Sequence, residues 1–168
     1  MPSSKDIERT STPRDRDALG RPFNARPRDG LGRPLARGEP GIPTVPPHPV
    51  LSAVDSLALA QQLLVDGRPF HAHEVLEAAW KAAPAAEREL WQGLAQLAVG
   101  LTHLLRGNRV GAASVLCRAR ERLRQYRDDA PYEVDVPGLI QWGDELLARL
   151  RAHDGQSVED VSTPRLRR

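Results

Sequence analysis

The sequence predicts an all-α protein of about five helices in antiparallel hairpins, preceded by an irregular amino-terminal arm. Three observations carry that expectation. Aromatic residues make up only 4% of the chain against 40% hydrophobic residues in all, so the core has to be built from Leu, Ala and Val. That composition suits helices better than sheets, which favour β-branched and aromatic residues. Apolar residues recur at i, i+3, i+4 and i+7 in successive segments, the spacing of one helical face. Finally, a pattern repeats forty residues apart: Gly67, Phe70, Ala72, Val75, Leu76 and Ala79 fall on Gly107, Val110, Ala112, Val115, Leu116 and Ala119. Two helical hairpins of one build, stacked like tetratricopeptide units, would produce it.

Residues 1–50 read as an extended arm and linker. Ten of the fifteen prolines lie there, mixed with Arg, Asp and Gly, and no window has helical or strand periodicity. An internal echo runs through it: Ala18-Leu19-Gly20-Arg21-Pro22 returns as Gly30-Leu31-Gly32-Arg33-Pro34. Such an arm is either a loose tail or a docking segment, with Leu19, Phe23, Leu31 and Leu35 as anchors. The run Ile42 to Pro49 is a stiff polyproline-type linker.

The helical domain is expected over residues 51–155. Ser52 to Asp55 forms a capping-box pattern that starts the first helix, and Gly67 stops it after Val65. Pro69 suits the first turn of a second helix over Phe70–Ala83, closed by Pro84. The longest helix spans about Ala85 to Arg106, with Glu87 and Glu89 in its first turn, where the helix dipole favours acids. Its two glycines, Gly93 and Gly100, allow a neighbouring helix close, and the Phe70 helix is one such neighbour. A fourth helix runs from about Val110 to Tyr126 and a fifth from about Pro137 to His153. Residues 156–168 read as a disordered basic tail.

Composition also limits function. The net charge of +2 is too mild to imply nucleic acid by itself. One cysteine, Cys117, excludes an internal disulfide and fits a reducing compartment. No apolar run approaches a membrane span, and the amino terminus leads into charge instead of a signal-peptide core. The expected setting is the cytoplasm, without a membrane.

The segment His71 to Trp80 concentrates the chemistry. His73 and Glu77 are one helical turn apart, and Glu74 lies three residues before Glu77. If the long helix packs alongside, Gln96 and His103 can face them, giving a cluster of His73, Glu74, Glu77, Trp80, Gln96 and His103. Such a cluster reads first as an internal polar network, because buried carboxylates need partners. It reads second as a divalent-metal site of His73, Glu77 and His103, and third as the acid–base site of a metal-dependent hydrolase. His73-Glu74-Val75-Leu76-Glu77 follows the zinc-protease His-Glu-x-x-His string, with Glu77 in place of the second histidine. The fourth helix carries Arg109, Arg118, Arg120, Arg122, Arg124 and Arg127. No aromatics are interleaved for stacking, so a solvated face is favoured over a nucleic-acid surface.

Three motifs in order, His71 to Trp80, Gln92 to Ala98, and His103 with Gly107 to Ala112, resemble domain of unknown function 309. This is a family of small, all-helical bacterial and archaeal proteins, and the proline/arginine-rich arm is similar to that of actinobacterial members. The resemblance implies a helical bundle and no activity. Its characteristic residues fall on His73, Glu74, Glu77, Trp80, Gln96 and His103. Together these readings favour a non-enzymatic interaction or scaffold module that binds a protein partner or its own copy. The metal-dependent hydrolase and the nucleic-acid binder are the alternatives.

Overall fold

The computed structural model describes residues 27–36, 38–42, 51–152 and 161–168. Five α-helices follow one another: α1 (Ala53–Val65), α2 (Pro69–Ala82), α3 (Arg88–Leu105), α4 (Arg109–Leu123) and α5 (Val136–Arg151). Among the described residues there is no strand, only isolated bridges within the arm and between Val134 and Arg167. The expected all-helical architecture is therefore the observed one. Two boundaries differ. Ala85–Glu87 forms a 3-10 turn before α3 begins at Arg88, and α4 ends at Leu123 and tightens into a 3-10 turn over Arg124–Tyr126.

The starts and stops have local causes. The Ser52 hydroxyl accepts from the Asp55 amide at 3.1 Å, the forward half of a capping box. The backward half is replaced, since the same hydroxyl donates to the Asp55 carboxylate at 2.6 Å. Asn108 and Asp135 cap α4 and α5 by accepting from Gly111 and Gly138, an arrangement worth about 1 kcal/mol each.

The forty-residue repeat is real in three dimensions. Gly67 and Gly107 both take left-handed backbone, with φ of 68° and 77°. The Gly67 amide donates to Leu64 and the Arg68 amide to Leu63; the Gly107 amide donates to Leu104 and the Asn108 amide to His103. Both hairpins are thus closed by the same Schellman cap. Ala72 and Ala112, Val75 and Val115, and Leu76 and Leu116 occupy matching buried positions.

α3 is the central element, flanked by α2 and α4. Leu90, Trp91, Leu94, Leu97, Ala98, Leu101 and Leu104 are all buried along it. Its glycines, which could have admitted either neighbour, face α4. A Cβ on Gly100 would stand 2.6 Å from Leu116, and one on Gly93 would stand 3.0 Å from Leu123 and 3.3 Å from the Ala119 carbonyl.

The link to α5 passes through Tyr132 and Glu133, both in left-handed backbone (φ 60° and 58°), uncommon for residues with a Cβ. The Tyr132 hydroxyl donates to Glu87 at 3.0 Å, and Arg167 donates to the Tyr132 carbonyl at 2.9 Å and pairs with Glu133. Arg167 belongs to the stretch read as a disordered tail, and residues 161–168 correct that reading. Leu166 is 1% exposed. Its amide donates to Gln61 at 2.7 Å, its carbonyl accepts from Asp135 at 2.9 Å, and the Trp142 indole donates to the Ser162 carbonyl. One apolar side chain among arginines is too short a pattern to signal this from sequence.

The glycine packing makes a paired prediction. Gly143 lies inside α5 with nothing within 4 Å of an added Cβ. Gly143→Ala should stabilise the protein by about 0.5–1 kcal/mol through helix propensity. Gly100→Ala gains the same propensity but collides with Leu116, so it should be destabilising by about 1–2 kcal/mol. Chemical denaturation of both variants checks this, and equal stabilisation by both would contradict the packing.

Candidate functional site

The polar segment of α2 follows from its register. With Ala72, Val75 and Leu76 buried, His73, Glu74 and Glu77 are left on the half-buried flank. His73 Nε2 lies 3.5 Å from Glu77 Oε2, and Lys81 Nζ lies 2.8 Å from Glu77 Oε1. The one-turn pairing expected from the spacing is therefore present. Trp80 packs partly buried against the core. Burial lowers the pKa of His73, helped by Lys81 and opposed by Glu77. Burial likewise raises that of Glu74, helped by Glu77 and opposed by Arg28.

The helix α3 members behave differently. His103 Nδ1 lies 3.1 Å from the Asn108 amide nitrogen, and the Gln96 carbonyl oxygen is buried without a hydrogen bond. Among the described residues, no hydrogen bond ties either one to His73, Glu74 or Glu77. Of the six residues expected to cluster, His73 and Glu77 are paired on α2, while His103 and Gln96 have the surroundings just described. Among the described residues no group of three or more His, Cys, Asp or Glu side chains is placed to hold a metal ion.

The structure builds a different site at the hairpin end, where the start of α2 and the end of α3 lie together. Phe70 is its centre. Residues 28–34 of the arm form a tight turn over it. Asp29 Oδ1 accepts from the Leu31 amide at 2.9 Å and the Arg33 amide at 2.7 Å, and the Gly32 amide donates to the Asp29 carbonyl at 2.9 Å. Gly32 holds a φ of 73°, and a Cβ there would stand 2.2 Å from the Phe70 ring. Only glycine meets both demands. The Leu31 carbonyl accepts from Arg106 at 2.9 Å, and Arg28 donates to the Gly32 carbonyl. The two guanidinium groups lie over the Phe70 ring, 5.2 Å (Arg28) and 5.9 Å (Arg106) from its centroid, within cation–π range.

Beneath this turn is His71, 0% exposed, with neither ring nitrogen in a hydrogen bond of good geometry, though the Gly30 backbone acts on its proton. Its ring meets Phe70 edge-on at 5.6 Å. Burial and then the Arg68 charge depress its pKa, against opposing effects of the Gly30 backbone and Asp29. Glu74 Oε2 is also buried without a partner, though Arg28 acts on its charge.

Sequence reasoning left the arm as a loose tail or a docking segment, with Leu19, Phe23, Leu31 and Leu35 as anchors and its arginines as polar contacts. Leu31 and Leu35 are half-buried, and Leu19 and Phe23 lie outside the described residues. The contact runs instead through a backbone carbonyl, a missing side chain and two arginines. The usable signal was the Leu-Gly-Arg-Pro echo, together with one of only two phenylalanines in the chain at Phe70.

Residues 57–115, the stretch from within α1 into α4, match the model of a family described as domain of unknown function (DUF309). Over that stretch the chain is similar to the DUF309 family. No curated protein and no solved structure matches it. The DUF309 segment contains Phe70, His71, the His73–Glu77 pair and Arg106, so the floor of the docking site belongs to the family region, while the turn that fills it comes from outside.

His71 generates a pH prediction. Its folded-state pKa is depressed from the ordinary 6.5, so below that value the unfolded chain binds a proton that the folded one resists. Stability should fall as pH drops below 6.5, by at most about 1.4 kcal/mol per pH unit for one group. His73 acts in the same direction. Glu74, with a raised pKa, contributes stability at low pH that is lost as pH rises through its folded value. Comparing wild type with His71→Leu isolates one contribution. The variant should unfold at equal or higher denaturant at pH 7, because an unsatisfied buried polar group is removed, and should lose less on acidification. Identical pH profiles for the two proteins would contradict the assignment.

Proposed function

We propose that this protein is a non-enzymatic interaction module whose α2–α3 hairpin end is a peptide-docking site. The observation that supports this reading most is the docked turn, in which residues 28–34 lie on Phe70 as a ligand would. They contribute nothing to the hydrophobic core, which draws on the helices, Ala83, Val134 and Leu166. The site suits a protein segment with a Leu-Gly turn flanked by arginine. Such a partner would exchange with the arm.

The rival readings have less support. Among the described residues no group of three or more His, Cys, Asp or Glu side chains supports a metal-dependent hydrolase. Arginines of α4 and the 3-10 turn after it are engaged within the fold: Arg120 with Asp144, Arg122 with Glu89 and Arg124 with Glu121. No helix among the described residues is long and apolar enough to cross a membrane. We take the bacterial cytoplasm as the setting, a reading supported by the single free cysteine, Cys117.

The test is a titration. A fluorescent peptide of residues 27–42 is added to protein comprising residues 43–168, which retains every core residue. Saturable binding is expected, with a Kd on the order of the millimolar concentrations at which short linkers hold such segments. Phe70→Ala should weaken it about tenfold or more. Absence of saturable binding, or indifference to Phe70→Ala, would overturn the reading.

A further inference from the structure

The turn that fills the Phe70 site is encoded twice. Arg28-Asp29-Gly30-Leu31-Gly32-Arg33-Pro34 has an upstream counterpart twelve residues earlier, Arg16-Asp17-Ala18-Leu19-Gly20-Arg21-Pro22. Six of the seven positions are identical, and they include the ones the contact uses. Asp29 closes the turn through the Leu31 and Arg33 amides, and Asp17 can close the same turn. Leu31 supplies the carbonyl for Arg106, as Leu19 would. Gly32 meets the Phe70 ring where no Cβ fits, and Gly20 meets the same demand. Arg28 covers the ring and donates to the Gly32 carbonyl, and Arg16 is its counterpart. The differing position is tolerant, since a Cβ on Gly30 would meet only the tip of Ile42, at 3.3 Å. The turn's backbone pairing, Leu35 amide to Pro27 carbonyl, needs an N–H that Phe23 also has.

We propose that residues 16–22 are a second ligand for the Phe70 site, giving the arm two docking registers that compete for it. This rests on the reading of the hairpin end as a peptide-docking site. Two differences make 28–34 the resident copy. Its tether to Ala53 is 12 residues shorter, which favours it about twofold through loop-closure entropy. It is also backed by an outer leg, in which the Ile42 amide donates to Arg28 and Gly41 passes so close to Pro27 that a Cβ would stand at 2.5 Å. Asp29 occupies the position equivalent to Gly41, so the upstream copy lacks that leg. Docking of the upstream copy releases residues 23–42 while the hairpin end stays covered. The arm thereby lengthens without exposing Phe70.

Amide hydrogen exchange on the full chain tests this in wild type, Gly32→Val, and the double variant Gly20→Val/Gly32→Val. Amides within α1 serve as the check that each protein is folded. In wild type, the Leu31 and Arg33 amides should be protected. In Gly32→Val that protection should vanish and appear at Leu19 and Arg21, with the start of α2 still slowed. In the double variant all four amides should exchange freely and the start of α2 should exchange faster. If Gly32→Val frees Leu31 and Arg33 without protecting Leu19 and Arg21, the second register is overturned while the docking site stands. If Leu31 and Arg33 are unprotected in wild type, the docking site itself fails, and the inference with it.

Discussion

The structure depends on α3 being buried on two flanks, with the stripe of Gln92, Gln96, Val99 and His103 left half-buried. Its buried leucines and Trp91 have to be covered from two directions, and the two hairpins supply the cover. On one flank Gly93 and Gly100 admit Leu123 and Leu116 of α4 to distances a Cβ would forbid. On the other, Ala72, Val75 and Leu76 of α2 bring a surface of small and branched side chains. Because α2 and α3 run antiparallel, the start of one and the end of the other meet at the same end. That places Phe70 beside Arg106 and creates the surface on which the arm lies.

Electrostatics at that end are arranged around burial without full partnering. His71 has no hydrogen bond of good geometry, Glu74 keeps one buried oxygen unpaired, and Arg68 Nε is likewise unpaired. Each such group costs about 1–3 kcal/mol when cut off from water. Their concentration under the arm makes the docked turn a weakly held element. The contacts holding it, two arginine–ring interactions and a few bonds to backbone carbonyls, are individually modest. Exchangeable occupancy is what this balance favours, in contrast with the apolar α3–α4 seam. The His73–Glu77–Lys81 group is half-exposed and of small energetic weight.

Most of the helical order was legible because apolar spacing and caps are local properties. Gly67 and Gly107 mark equivalent turns, and matched residues after them fall on matched buried positions. The pairing of His73 with Glu77 was legible for the same reason, being set by one helical turn. What required tertiary information was not. Helical register places Gly93 and Gly100 near one face but does not say which neighbour fills it. Which groups Gln96 and His103 face depends likewise on how the helices pack, which side-chain spacing alone does not state. The order at Leu166 and the docked turn rest on backbone donors and acceptors, which side-chain patterns do not display.

The most direct measurement is the proton chemical shift of the Gly32 α-hydrogens in the full-length protein. Packed against the face of Phe70, they should resonate well upfield of ordinary glycine, and Phe70→Leu should return them to the ordinary position while α3 and α4 stay folded. Gly32 α-hydrogens at the unstructured position in the wild type would contradict the account.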